Sequence, residues 1–566
     1  MCLPGGEVTD PQVAPGGGSV SAVLSEPDGE RTRNRLVMWD VSTATMTEVL
    51  VTPEPTAGRG LSGGVHDWHP DGSSVVVVTR SGGVVRVDVT TGATTALPLD
   101  ASRSWSTPVH SPDGSRIAVV ADWCELFVVS GDTAVSVHRA ENGHVVDAAW
   151  NGDDPVAHSW ERPEMAWTSS RIIGSDPGPG VAVQQPRGRS GRFGWIDDSN
   201  GMWNVHVDGV CIEDECEHGG PTWGPGQRTW CLNDDATRAA YVRNESGFGA
   251  LWTVDLRTGE RCMVGRAPHG CVSWSGDTLA AVRSGARTPQ ELVVYDVSDP
   301  DVPRRMFSHS PQRSAWFPAF DAELVEPSIQ DAGGIPWRLY EPAAARGGLI
   351  VWVHGGPTDQ WQVTFRPRFA YWLSRGWSIA VVDHRGTTGH GREFRLALEG
   401  GWGTADADDT AAVARSAREM LGIPPSRTVL MGASAGGLSV LSAANRHAGI
   451  AACVVTSFPV VDLDLLLQGD DPFEGHYNHV LVGDITASPS MDVHHLRDVP
   501  VLSFHGDIDE LVVPDHSRRL HAAVERAGGE VRVVLMPGEG HGFRDRANIE
   551  REFAVTQGFL EEKTGL

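Results

Sequence analysis

A serine, an acid and a histidine can together move an acyl group, and each of the three stands in a glycine-containing stretch of this chain. The serine is Ser434, in Gly432-Ala433-Ser434-Ala435-Gly436-Gly437. Ahead of it, Arg427-Thr428-Val429-Leu430-Met431 is a short apolar run of the kind that forms a buried parallel strand. Behind it, 438–445 is rich in small and aliphatic residues and reads as a helix. A serine between strand and helix, flanked by glycines, makes a G-x-S-x-G elbow. Such a bend lifts the hydroxyl clear of the sheet and aims the amide of Ala435 at the place where an oxyanion forms. The glycines are expected to serve a turn too tight for side chains and to adopt backbone angles that other residues avoid. On its own the stretch also reads as a turn whose serine only caps a helix. Three further loops weigh against that reading.

His354-Gly355-Gly356-Pro357 directly follows the apolar run 349–353. Paired glycines leave a backbone amide open, as an oxyanion hole requires, and the donor is assigned to Gly356. His505-Gly506-Asp507-Ile508-Asp509-Glu510-Leu511-Val512-Val513-Pro514 follows another apolar run. An acid here would orient a histidine and stabilise its imidazolium, and Asp507 and Asp509 both qualify by position. Pro537-Gly538-Glu539-Gly540-His541-Gly542-Phe543 follows the last run, and His541, between glycines, can reach toward Ser434. The order Ser, Asp, His along the chain is that of α/β hydrolases. The chemistry implied is acyl transfer through a covalent acyl-enzyme, which needs no metal and no organic cofactor.

The elements that must position these loops come from the second half of the chain. From residue 331 to 566 the pattern is strand, loop, helix. Apolar runs at 349–353, 378–382, 452–455, 499–504 and 531–535 read as strands. Helices are expected at 369–373, ending at Gly376, and at 406–421, stopped by Gly422-Ile423-Pro424. This is an α/β domain with a mainly parallel sheet.

The first half repeats instead. Strand-like runs that end in Asp and a turn recur, as in Leu36-Val37-Met38-Trp39-Asp40, Val84-Val85-Arg86-Val87-Asp88, Leu251-Trp252-Thr253-Val254-Asp255 and Leu292-Val293-Val294-Tyr295-Asp296. Weaker copies sit at Leu126-Phe127-Val128-Val129 and Met165-Ala166-Trp167-Thr168. Turn signals such as His69-Pro70-Asp71-Gly72 and Ser111-Pro112-Asp113-Gly114 precede apolar strands. The period of roughly 40–48 residues is that of four-stranded propeller blades. About seven blades fit into residues 11–312. Residues 1–10 are then a tail and 313–330 a linker to the second domain, 331–566.

Composition narrows the partners. The chain has 566 residues, 46 Lys and Arg against 73 Asp and Glu, and a net charge of −27. Such a field repels nucleic acid and anionic lipid and favours amine-bearing ligands. No run approaches the length of a membrane span, and the start has no signal-peptide pattern. The eight cysteines are scattered, without a C-x-x-C pair, and read as free thiols in the cytoplasm.

A β-propeller followed by an α/β hydrolase resembles the prolyl oligopeptidase family of serine peptidases, nearest its acylaminoacyl-peptidase and dipeptidyl-aminopeptidase branches. The elbow, His354-Gly355-Gly356-Pro357-Thr358, Asp383-His384-Arg385-Gly386-Thr387-Thr388-Gly389-His390-Gly391-Arg392 and Gly538-Glu539-Gly540-His541-Gly542 match the family's pattern in order. The resemblance implies that the acid is the second aspartate of its H-G-x-x-D motif, Asp509. It implies short peptides or acylated amino acids as substrates, with a propeller that limits their size. Two positions depart from the family's proline-cleaving members. Leu511 stands where internal cleavers carry an arginine, and Ala435 where dipeptidyl peptidases carry a tyrosine. Leu511, Val512 and Phe458 are therefore expected to line an apolar specificity pocket, and Glu474, in Phe473-Glu474-Gly475-His476-Tyr477, to bind a substrate amine. A carboxylesterase or small-amide hydrolase is the alternative within the enzyme class, and a propeller scaffold with an idle hydrolase the alternative outside it. A homo-oligomer is left open.

Overall fold

The structure is a computed structural model that describes residues 6–28, 31–174, 181–312, 324–469 and 471–566. The chain forms two compact units. The first is a β-propeller. Among the described residues, seven small antiparallel sheets follow one another, with first strands that begin at Glu7, His66, Trp105, Gly143, Val183, Trp230 and His269. The repeated Asp has a local task. The carboxylates of Asp40, Asp88 and Asp255 each accept backbone amides two and three residues on, at 2.7–3.0 Å, which fixes the turn into the outer strand. In the Pro-Asp-Gly turns, Gly72 and Gly114 take φ of 75° and 74°, and their amides close the turn on His69 and Ser111.

Two expectations shift. The run Met165-Ala166-Trp167-Thr168 is not a strand. It is a turn closed by the Thr168 amide on the Met165 carbonyl at 3.0 Å, with Trp167 buried against Trp223. The tail assigned to residues 1–10 overlaps the first blade, whose inner strand is Glu7–Val13; residues 1–5 lie outside the described residues.

Five inner strands share a feature that pattern does not reveal. Each breaks register at a residue in the left-handed region, Asp10, Thr107, Asp147, Gln185 or Cys271, with φ of 48–54°. Several of these side chains latch onto the next blade. Asp10 accepts the amides of Val65 and His66, Thr107 that of Ala148, and Gln185 that of Thr229. The ring closes between the last blade and the first. Val13 and Gly16 donate to Ser273 and Ser275, while Val8, Val20 and Leu24 pack with Ala280, Leu292 and Val294. Residues from all seven blades line a cavity of about 720 Å³.

Asp147 is 2 % exposed there. Burial pushes its carboxyl up to about 6, opposed by Arg187, the Gly226 amide and Arg228. One oxygen accepts that amide at 2.6 Å and the other has no hydrogen-bond partner. A carboxyl raised in the fold favours folding most where both states hold the proton and opposes it once both have lost it. Its contribution is full below about 4 and is lost as pH rises through about 6. Asp147→Asn is therefore expected to raise Tm more at pH 8 than at pH 5, by on the order of 2 kcal/mol of differential stability. Equal changes in Tm at the two pH values would contradict this.

The second unit carries an eight-stranded sheet. Its strands are β1 (Ser328–Asp331), β2 (Pro336–Tyr340), β3 (Gly348–Val353), β4 (Trp377–Val382), β5 (Thr428–Ala433), β6 (Cys453–Ser457), β7 (Val501–Gly506) and β8 (Val531–Met536), in the spatial order 1-2-4-3-5-6-7-8. β3 to β8 pair in parallel, whereas β1 and β2 add an antiparallel edge. The linker expected at 313–330 thus ends sooner, because β1 already belongs to this sheet; residues 313–323 lie outside the described residues. Helices α1 (Pro367–Leu373), α2 (Ala405–Leu421) and α3 (Ala435–Arg446) fall where helical spacing was read. α2 ends at Gly422 with φ 65°. Further on lie α4 (Gly475–Leu481), α5 (Asp515–Arg526) and α6 (Arg546–Thr564). Leu349, Val351, Val353, Leu430, Val454 and Val501 from the strands bury against Ala411, Ala414, Val440 and Leu441 of α2 and α3. The carboxyl ends of β3, β5, β7 and β8 carry the four loops singled out above. No helix among the described residues is long and apolar enough to cross a membrane.

Candidate active site

Ser434 sits between β5 and α3 with φ 54° and ψ −123°, a conformation that strains a residue bearing a Cβ. Backbone bonds hold it there. Its amide donates to the Ser457 carbonyl at 3.1 Å, and its carbonyl accepts from Gly437 at 2.9 Å and Val460 at 3.2 Å. The flanking glycines do not supply the unusual angles, since Ser434 itself does. They allow close approach. A Cβ on Gly432 would lie 2.1 Å from the Gly436 carbonyl oxygen. One on Gly436 would lie 2.5 Å from those of Val353 and His354, and one on Gly437 would lie 2.6 Å from Pro459.

His541 meets this serine, with Nε2 3.0 Å from Ser434 Oγ and Nδ1 2.8 Å from Asp509 Oδ2. The other Asp509 oxygen accepts the amides of Leu511 and Val512, each at 3.0 Å. The Asp509 side chain is fully buried. Asp507 is exposed and turned away, accepting the Gly538 amide at 2.7 Å. Geometry thus separates two acids that position alone left equal.

Two residues not singled out from the sequence brace these loops. His505 Nε2 donates to the Val512 carbonyl at 2.7 Å and Nδ1 accepts from Ser517 Oγ at 2.7 Å. This is the neutral ring, in keeping with burial that lowers its affinity for a proton. Glu539 is 4 % exposed, and its carboxylate accepts the amides of Arg544 and Asp545 and the Asn548 side chain. Its carbonyl accepts the Ile508 amide, so one residue ties the histidine loop to the acid loop. Its place inside the Gly538-Glu539-Gly540-His541 string was the available signal.

The His354 loop passes close to the serine: a Cβ on Gly355 would stand 3.6 Å from Ser434 Cβ. Gly356 takes φ 129° ahead of Pro357. Ala435 is the first residue of α3, where an amide has no intrahelical acceptor. His354 is buried, which lowers its pKa to about 3. Nδ1 of this neutral ring donates to the Gly355 carbonyl at 2.7 Å, and Nε2 accepts from Thr387 Oγ1 at 2.8 Å. The far end of the loop is fixed by Gln360, which donates to Asp383 at 2.9 Å. Burial opposes ionisation of Asp383, but Arg338, forked onto both oxygens at 2.6 and 3.1 Å, and His390 at 2.8 Å hold its carboxyl well below the usual range.

The remaining expected residues are placed unequally. The Phe458 ring lies 4.5 Å from that of His541 and 5.5 Å from that of Phe543. Leu511 is 39 % exposed. Val512 is 3 % exposed and meets the site through its backbone, as donor to Asp509 and acceptor from His505. Glu474 precedes α4 and is partly buried. Burial, and after it Asp471, pushes its carboxyl up to about 7.

The comparisons agree with this architecture. The chain is 29 % identical over 230 residues to dipeptidyl aminopeptidase BIII of Pseudoxanthomonas mexicana, an alignment covering 38 % of this chain and 33 % of that one. It is 26 % identical over 218 residues to the acylamino-acid-releasing enzyme of Arabidopsis thaliana, covering 36 % and 28 %. It thus spans about a third of the length of the curated relatives it matches. The fold is that of a puromycin-hydrolyzing peptidase of Mycobacterium tuberculosis, with TM-score 0.82, 22 % identity, and coverage of 99 % of this chain and 94 % of that one. It is also that of the acylaminoacyl peptidase of Pyrococcus horikoshii, with TM-score 0.72, 15 % identity and coverage of 99 % and 96 %. The profile of the prolyl oligopeptidase family matches residues 363–566.

Proposed function

We propose that this protein is a serine peptidase that hydrolyses short peptides through an acyl-enzyme. The observation that carries the reading is the hydrogen-bonded run Ser434–His541–Asp509, with both histidine nitrogens engaged at 3.0 and 2.8 Å. Asp509 holds the Nδ1 proton, which leaves Nε2 free to accept one. As Ser434 Oγ attacks the acyl carbonyl, its proton passes to His541 Nε2. The amides of Gly356 and Ala435 take up the oxyanion, and the carbonyl bond re-forms as His541 protonates the leaving amine. Water, deprotonated by His541, then attacks the ester, and the returning proton frees Ser434. No metal or organic cofactor enters these steps.

The substrate class follows the relatives' names, dipeptidyl aminopeptidase and acylamino-acid-releasing enzyme. Phe458 and Leu511 give the surroundings of His541 and Asp509 an apolar character, which suits a hydrophobic residue at the cleaved bond. The scattered cysteines favour a reducing, cytoplasmic compartment.

A panel of aminoacyl-, dipeptidyl- and N-acyl-aminoacyl-anilides beside simple acyl esters tests the reading. Turnover of leucyl- or phenylalanyl-containing anilides, faster than of glutamyl ones, is expected. Hydrolysis of the esters with no turnover of any anilide would make the protein a carboxylesterase instead.

A further inference from the structure

Phe458 is the first residue beyond β6, and its backbone takes φ 39°. A bulky side chain avoids this left-handed region, so the surrounding structure must hold it there. The bonds that do so run to the site. The Phe458 amide donates to the Phe504 carbonyl of β7 at 2.6 Å. On either side of it, the Ser457 carbonyl accepts the Ser434 amide at 3.1 Å, and the Val460 amide donates to the Ser434 carbonyl at 3.2 Å. The stretch 457–460 is thus strapped to the backbone of the serine.

The side chain reaches the other partner. Its ring centre lies 4.5 Å from that of His541, with the planes 58° apart, and 5.5 Å from that of Phe543, edge to face at 84°. His541 and Phe543 stand two residues apart in the loop after β8, so one ring touches two side chains of that loop. Phe458 therefore joins the segment that fixes Ser434 to the loop that carries its base.

The reaction proposed above turns His541 from a neutral ring into a cation when Nε2 takes the Ser434 proton. A separation of 4.5 Å is inside the roughly 6 Å over which an aromatic ring attracts a cation. An aliphatic side chain of similar size in this place would strip water from the imidazolium and return no such attraction.

We propose that Phe458 is a positioning residue for the base: it holds the His541 ring and favours its protonated form as the acyl group is attacked. The inference rests on the peptidase reading and deepens it. A contact with the substrate's own side chain would show in KM, and for apolar residues alone. Action through His541 shows in kcat, whatever residue the substrate carries.

The experiment compares Phe458→Leu and Phe458→Tyr with wild type, each below its Tm, on leucyl- and glutamyl-anilide and on a small dialkyl fluorophosphate, which has no amino-acid side chain. In Phe458→Leu, kcat on both anilides and the rate of labelling at Ser434 are expected to fall together by roughly 3- to 30-fold, with KM within about twofold of wild type. Phe458→Tyr keeps the π face at the same backbone angle and should stay within about twofold of wild type in all three rates. A loss confined to leucyl-anilide and expressed in KM would overturn the role, as would an equal loss in the two variants or no loss in either. A wild type that is labelled at Ser434 but turns over no anilide would overturn the peptidase reading alone, because the labelling rates still decide the role of Phe458.

Discussion

Ser434→Ala is expected to lower kcat on the best anilide substrate by roughly 10⁴-fold or more, with KM little changed. In the proposed reaction the side chain removed bears the attacking atom, and at 3.0 Å it is in hydrogen-bond contact with His541, the proposed base. Nothing else in the described site offers a hydroxyl in that place. The strained φ of 54° belongs to the backbone and is shared by alanine, so the elbow should survive the change. His541→Ala should cost a similar factor, because a serine without its base is as idle as a base without its serine. The double variant should be no worse than either single one, since residues that act as a unit lose their effect together. A Ser434→Ala enzyme that kept a tenth of wild-type kcat would exclude Ser434 as nucleophile.

Asp509→Asn is expected to lower kcat by about 10⁴-fold, and Asp507→Asn by no more than a few-fold. The Asp509 carboxylate does two things at once, accepting two loop amides with one oxygen and the His541 Nδ1 proton with the other. An asparagine can satisfy only one side. With its oxygen toward the amides, its NH₂ faces Nδ1 and forces the proton onto Nε2, the tautomer that cannot accept from serine. With its oxygen toward Nδ1, its NH₂ faces two donors. Asp507 is exposed, and its one partner, the Gly538 amide, can be accepted equally by asparagine. Measured kcat/KM for the two variants separates them. If Asp507→Asn were the more damaged, the acid would be misassigned.

Much of this site can be read from the chain because each part lies at the end of an apolar run. The elbow, the His354 loop, the acid loop and the histidine loop all follow mainly apolar strands, of which the last is only partly buried. The reason for the elbow's glycines could not be read in the same way. Gly432 and Gly436 are small because β5, α3 and the end of β3 approach within van der Waals contact there, and a close approach between segments distant in sequence leaves no local mark. The choice between Asp507 and Asp509 likewise needed burial, since two acids two residues apart carry the same pattern.

In the propeller, the repeated Asp and the Pro-Asp-Gly turns announced the blades because both are local hydrogen-bonding devices. The left-handed residues of the inner strands did not, as Asp, Thr, Gln and Cys share no type; only their bulged pairing unites them. Met165 to Thr168 misled because an apolar run is also what a turn buried around Trp167 requires. β1 escaped notice for the opposite reason: Ser328–Asp331 is a mostly exposed edge strand without an apolar side.

The central claim is that Ser434 is a nucleophile activated by His541. Intact-mass and peptide-mapping analysis after treatment with a fluorophosphonate tests it most directly, because a phosphonylated serine records the attack without requiring the natural substrate. One adduct per wild-type chain is expected, on the peptide containing Ser434. The adduct should be absent from Ser434→Ala and slow to form in His541→Ala. An unlabelled wild type, or an adduct on another residue, would contradict the account.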